Sequence, residues 1–155
     1  MQSLARSSLI LHVAPDATAA TTYTLAAGTT DVDSSSIDIL GTNAKSVAWQ
    51  LTFGTNLNAA TFTLQVQESD DNSTWSNISG ATVSVTDAGG ATSAQKLMIE
   101  VLNPTKRYQR VTIDRGTANS AINNLEAIVL NTREQPNAQS TAAGQFAAAP
   151  VIVAG

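Results

Sequence analysis

Three carboxylates fall within four residues in the stretch "ESDDNSTWSNIS", residues 68–79: Glu68, Asp70 and Asp71. Such a cluster could hold a cation, act as an acid/base pair, or close a turn. Two apart at the end of a strand, Glu68 and Asp70 would share a face about 7 Å apart, within the separation inverting glycosidases use. That chemistry also needs a cleft and one carboxyl held protonated. A calcium loop would need alternating oxygen ligands and a central glycine, which "DDNST" lacks. A turn needs neither. Asp70, Asp71, Asn72 and Ser73 are the residues of a type I or Asx turn, with Trp75 restarting the next strand, and the turn is the expected reading.

Other reactive groupings are sparse. His12 is the single histidine and falls in an expected strand, where a solvent-facing position is expected. A histidine-based triad would have one possible base and no nucleophile elbow. The sequence has no phosphate loop, dinucleotide fingerprint or zinc-ligand spacing. We therefore expect no catalytic residue, no metal and no cofactor. The one basic cluster is "TKRYQR", where strand alternation would put Lys106, Tyr108 and Arg110 on one face, opposite Gln109, Val111 and Ile113. A Tyr/Arg face of this kind suits the centre of a protein interface. Alternatively Tyr108 packs at a sandwich corner and the cations are solvated. Trp75 divides the same way, between stacking on a sugar ring and covering a sandwich end.

Strands must position these residues. In "SVAWQLTF" Val47, Trp49, Leu51 and Phe53 share one face, with Trp49 expected in the core. "TFTLQVQ" repeats the rule with Phe62, Leu64 and Val66 inward, and "GTNLNAA" between the two suggests an antiparallel hairpin or neighbouring strands. Further candidates are "SLILHV", "TTYTL", "SSIDIL", "TWSNI", "ATVSVT", "AQKLMIEV", "RYQRVTID" and "NLEAIVLN", each bounded by Gly, Pro, Asn or Asp. Eight to ten short strands without a convincing helix predict an all-β sandwich or jelly roll. We divide the chain into an N-terminal arm or first strand (1–19), a sandwich body (20–134) and an extended C-terminal tail (135–155).

Composition narrows the partners. Only 13% of the 155 residues are charged, and the net charge is −4. The basic field that binds nucleic acid is missing, so no nucleic acid partner is expected. No segment approaches the roughly 20 apolar residues of a membrane span. The start, "MQSLARSSLILHV", has too short an apolar run for a signal core and reads as a first strand or docking arm. There is no cysteine, which suits a reducing cytoplasm and is compatible with export.

The tail ends in one apolar knot, Val151, Ile152 and Val153. Burying three aliphatic side chains contributes about 5 to 8 kcal/mol. Ordering the seven residues of "APVIVAG" costs on the order of 7 to 14 kcal/mol. Burial alone does not win, so the knot is expected to pair along a sheet edge of a partner or to act in many copies.

The runs "LTFGTNLNAATFTLQVQESDDNSTWSNISGATV" and "KRYQRVTIDRGTANSAINNLEAIVLN", roughly the middle two thirds of the chain, resemble the decoration or cement proteins of tailed bacteriophages. The resemblance implies a β-sandwich or jelly-roll body without catalysis. It further implies many copies on the outer surface of the capsid, bound over the seams between major capsid protein subunits after synthesis in the host cytoplasm. Self-association into dimers or trimers is expected. The contact surfaces expected on this reading are the arm from Ser3 to Val13, with Leu9 and Leu11, the face of Lys106, Tyr108 and Arg110, and the knot of Val151, Ile152 and Val153. The rival is a glycan-binding module of a phage tail or baseplate, with Trp75 and Tyr108 as stacking platforms. A glycosidase using Glu68 is the third reading, to be tested by Glu68→Gln.

Overall fold

The structure is a computed structural model and describes residues 8–40, 42, 44–57, 60–87, 95–116, 119–130 and 151–154. Eleven strands are present among them: β1 (Ser8–His12), β2 (Leu25–Gly28), β3 (Val32–Asp33), β4 (Ile37–Asp38), β5 (Ser46–Leu57), β6 (Ala60–Ser69), β7 (Ser76–Asp87), β8 (Lys96–Leu102), β9 (Tyr108–Asp114), β10 (Asn119–Leu130) and β11 (Val151–Ala154). The one helical element among the described residues is a 3-10 turn, Ala17–Ala19, whose Thr18 amide donates to the Asp16 carboxylate at 2.8 Å.

The strands form two sheets. One runs β1-β10-β5-β8-β11, with β2 also paired to β10, and the other runs β3-β9-β6-β7, with β4 also paired to β9. The antiparallel partners are nested in sequence. Gln67 faces Asn77, Ser46 faces Leu102, Ile37 faces Gln109 and Ser8 faces Leu130. The chain from β1 to β10 is thus one long hairpin rolled into two facing sheets, which is the jelly-roll arrangement of an all-β sandwich. Its tip is the connection from β6 to β7, at the acidic stretch of residues 68–71. Only β11 lies outside this scheme: it pairs with β8 in parallel.

Alternation explains which faces meet. Val47, Trp49, Leu51 and Phe53 of β5 are buried against Phe62, Leu64 and Val66 of β6, and Phe53 and Phe62 meet edge to face at 4.7 Å between ring centroids. The strands β5 and β6 are therefore neither the hairpin nor the neighbouring strands that their sequence proximity suggested. They lie in opposite sheets because each carries one apolar face, and a sandwich buries both faces against each other.

A polar link crosses this core. Trp49 Nε1 on β5 donates to Gln109 Oε1 on β9 at 3.2 Å, and both residues are fully buried. On β8 the alternation breaks down: Leu97 to Val101 are all buried, including Met98 and Glu100 on the side away from the other sheet. Glu100 Oε1 has no hydrogen-bond partner among the described residues.

The first strand is part of the body. Leu9 and Leu11 stand opposite Val129 and Ala127 of β10; Leu11 packs against the core, whereas Leu9 stays 47% exposed. The expected arm upstream of Ser8 lies outside the described residues, as does the tail over 135–150. Some short strands sit elsewhere than expected. "TTYTL" contributes only Leu25, with β2 running on through Gly28, and "TWSNI" and "ATVSVT" supply a single strand, β7. That strand continues through Gly80, whose φ of +76° is open to glycine and strained for other residues.

Candidate interaction corner

The turn at the hairpin tip is built around one carboxylate. Asp71 accepts hydrogen bonds from the amides of Thr74 (2.7 Å) and Ser73 (2.9 Å) and from the hydroxyls of Ser69 (2.9 Å) and Thr74 (3.1 Å). Asn72 takes a left-handed conformation, φ +58°, which asparagine tolerates. These donors, led by the Thr74 amide, hold the Asp71 carboxyl well below its ordinary value of 3.8. The expected Asx turn is present.

Because its folded pKa is depressed, Asp71 adds stability that is present above the unfolded value and is lost as pH falls toward the folded one. Asp71→Ala is therefore expected to lower Tm at pH 7, with a smaller deficit at pH 2.5. Thermal melts of both proteins at the two pH values check this, and an unchanged deficit would refute the role of the charge.

Glu68 is engaged elsewhere. Its Oε2 accepts from the Thr105 hydroxyl at 3.1 Å, and its Oε1 lies 3.8 Å from Lys106 Nζ, which also donates to Ser76 Oγ at 3.0 Å. Lys106 precedes β9, so strand alternation does not place it; its ammonium closes the connection from β8 onto the tip of the hairpin. Within β9 the faces are those expected, with Gln109, Val111 and Ile113 buried and Tyr108 and Arg110 half-buried on the other side.

The arginines on either side of Tyr108 are each held by polar and ring partners of the same chain. Arg107 makes a two-pronged contact with Asp38, with Nη2 to Oδ2 at 2.7 Å, and its guanidinium lies 4.8 Å from the Tyr108 ring centroid. Asp38 also accepts from the Leu40 amide at 2.9 Å. Arg107 first, and that amide second, hold the Asp38 carboxyl below its ordinary value. Arg110 donates through Nε to Gln67 Oε1 at 2.9 Å, pairs with Asp33 at 3.1 Å, and covers the Trp75 ring at 4.5 Å. Each aromatic that could have served as a sugar platform thus already carries a guanidinium on one face.

Beside this group lies an open cleft of about 310 Å³ lined by Ile39, Leu40, Ala44, Pro104, Thr105, Lys106 and Arg107. Leu40 on its rim is 66% exposed. Sequence reasoning found Lys106, Tyr108 and Arg110 but missed Leu40, Asp38 and Asp33. Arg107 and Asp38 are 69 positions apart, so no local spacing signals the pair. The knot at Val151–Val153 lies on the other sheet, beside β8. His12 is on the outer side of β1, with Nδ1 at 3.2 Å from Asn124 Oδ1 and Nε2 at 3.6 Å from Glu126. Among the described residues no group of three or more His, Asp or Glu side chains is arranged to hold a metal.

No family model matches the sequence, and no curated protein does. Among solved structures, the chain is similar to the crystal structure of the PBSX exported protein XepA, at 19% identity and a TM-score of 0.48. That match takes in 92% of this chain and 43% of that one, so the chain spans less than half the length of that protein.

Proposed function

We propose that the chain is a structural, non-enzymatic protein of a tailed-bacteriophage particle. It binds the outside of the head in many copies and bridges adjacent major capsid protein subunits. The observation that carries this reading is the corner just described. Arg107, Tyr108, Arg110 and Trp75 converge there with an exposed leucine, and arginine, tyrosine and tryptophan are the residue types that dominate binding at interface centres. Both guanidinium groups are fixed by carboxylates and rings of their own chain, so little side-chain freedom is lost on docking. The sequence resemblance to decoration proteins supplies the partner.

The mechanism is mechanical. A head filled with DNA fails where subunits part, and a protein spanning the seam adds its binding free energy to the work of opening it. Repetition over the lattice makes modest contacts sufficient.

Co-sedimentation with undecorated capsids, counting bound copies per particle, tests the reading. Saturation at a fixed copy number related to the lattice is expected, with loss of head stability on stripping. Leu40→Asp, at a residue that is 66% exposed, is expected to weaken binding by about 10- to 100-fold at unchanged Tm, because it replaces an apolar contact by a carboxylate that docking must strip of water. Failure of the wild-type protein to bind would overturn the reading. Sugar-dependent quenching of tryptophan fluorescence, lost in Trp75→Ala, would then favour the glycan-binding module.

A further inference from the structure

The strand β11 is the one element outside the nested hairpin, and its attachment differs in kind from the rest. It lies along the edge of β8 in parallel, Val151 opposite Ile99 and Ala154 opposite Leu102. Val151 and Val153 pack against the core, while Ile152 is 51% exposed. Val153 also abuts β7: its Cγ1 would lie 3.4 Å from a Cβ added at Gly80. Without this strand, β8 presents an open edge.

The chain joining β10 to β11 is residues 131–150, twenty in number. Leu130 stands level with Ser46, and Ser46 with Leu102, so the end of β10 and the start of β11 are separated by three strand spacings and a three-residue offset. Those spacings amount to about 17 Å. Twenty residues can span up to about 66 Å. A body of this length has a diameter of roughly 40 Å. The connection is long enough to carry β11 past its own β8 to the β8 edge of an adjacent molecule, where it would meet identical contacts. Which edge it takes is then decided by relative concentration, not by a difference in contacts.

We propose that Val151–Ala154 is an exchangeable edge strand: it occupies β8 of its own chain in dilute solution and β8 of a neighbouring copy where copies stand side by side, linking them. This goes beyond the capsid reading and does not depend on it, since it concerns only copies of this chain.

The absence of cysteine makes the test direct. The double variant Leu102→Cys/Ala154→Cys, oxidised at about 1 µM, is expected to give an internally cross-linked monomer, because the two positions are directly opposed within one chain. A one-to-one mixture of the single variants is expected to give a dimer joined from position 102 to position 154. Its yield should rise with concentration and become substantial near about 1 mM, the range of effective concentration that short tethers provide. Peptide mapping identifies the linkage, and Ala154→Cys mixed with Ser84→Cys on the other sheet measures random collision. A 102-to-154 yield at least tenfold above that control supports exchange. A yield no higher than the control, or failure of the double variant to close internally, overturns the proposal.

Discussion

Arg115→Met is expected to destabilise the protein by about 2 to 4 kcal/mol, the loss of a buried cation's hydrogen bonds to backbone carbonyls. Arg115 is only 4% exposed, and its guanidinium donates to three backbone carbonyls: Thr30 at 2.7 Å, Ala26 at 2.8 Å and Ser120 at 3.1 Å. Its own amide donates to Asp31 at 3.0 Å. Burial pulls its pKa down, while the charges of Asp31 and Asp16 act in the opposite sense, so the cation is kept by its surroundings. Methionine fills similar volume but leaves all three carbonyls without this donor; that of the fully buried Ser120 then costs about 1 to 3 kcal/mol, while Thr30 and Ala26, in exposed residues, recover part of their loss from water. The contacts fasten β2 and the segment before β3 to the start of β10. Lysine, with one compact ammonium in place of a rigid fork, should recover only part of the loss. Denaturant unfolding checks this: the midpoint should fall with the slope unchanged, and a loss under about 1 kcal/mol would show that the carbonyls find other donors.

Trp49→Ala should have an effect of the same order, about 3 to 5 kcal/mol, because it empties the centre of the sandwich. The more informative experiment separates packing from the hydrogen bond across the core. Trp49→Phe keeps much of the ring and strands Gln109 Oε1; Gln109→Leu strands the indole N–H. Each is expected to cost about 1 to 3 kcal/mol as an orphaned buried group. The double variant Trp49→Phe/Gln109→Leu removes both partners and should cost clearly less than the sum, since replacing both ends of a buried bond by apolar groups can be nearly neutral. Gln109 Nε2 has no partner among the described residues, which adds to the advantage of leucine there. Strict additivity would mean that the 3.2 Å contact contributes nothing to linking the sheets.

Much of this architecture was legible in the sequence, because period-two alternation is a direct consequence of strand geometry. Val47 to Phe53, Phe62 to Val66 and Gln109 to Ile113 reveal their inner faces by it. The pairing was not legible. Alternation says which side of a strand is buried but not which sheet the strand joins, so β5 and β6 looked like a hairpin while they face each other across the core. The short strands also escaped, for a different reason. Leu25–Gly28 is mostly small residues without a pattern, and its place is set by β10 and by the bonds of Arg115 from 89 positions away. At the candidate site, the Asx turn was readable because all its donors lie within three residues of Asp71. Arg107 with Asp38 and Arg110 with Asp33 were not, since only the rolled-up fold brings them together.

The nesting of partners around the Asp71 turn also orders events in time. The pair β6 and β7 is available as soon as Asp87 has been synthesised, but Ser8 must wait for Leu130, 122 residues later, before its strand has a neighbour. As the chain emerges from the ribosome, the innermost hairpin can zip first and successive pairs can close outward around it. The apolar "SLILH" strand, the first of the described strands in chain order, is the last within the nested hairpin to find its partner. Until β10 has been made this strand is unpaired and adhesive, and prompt completion through β10 is what takes it out of reach of other molecules.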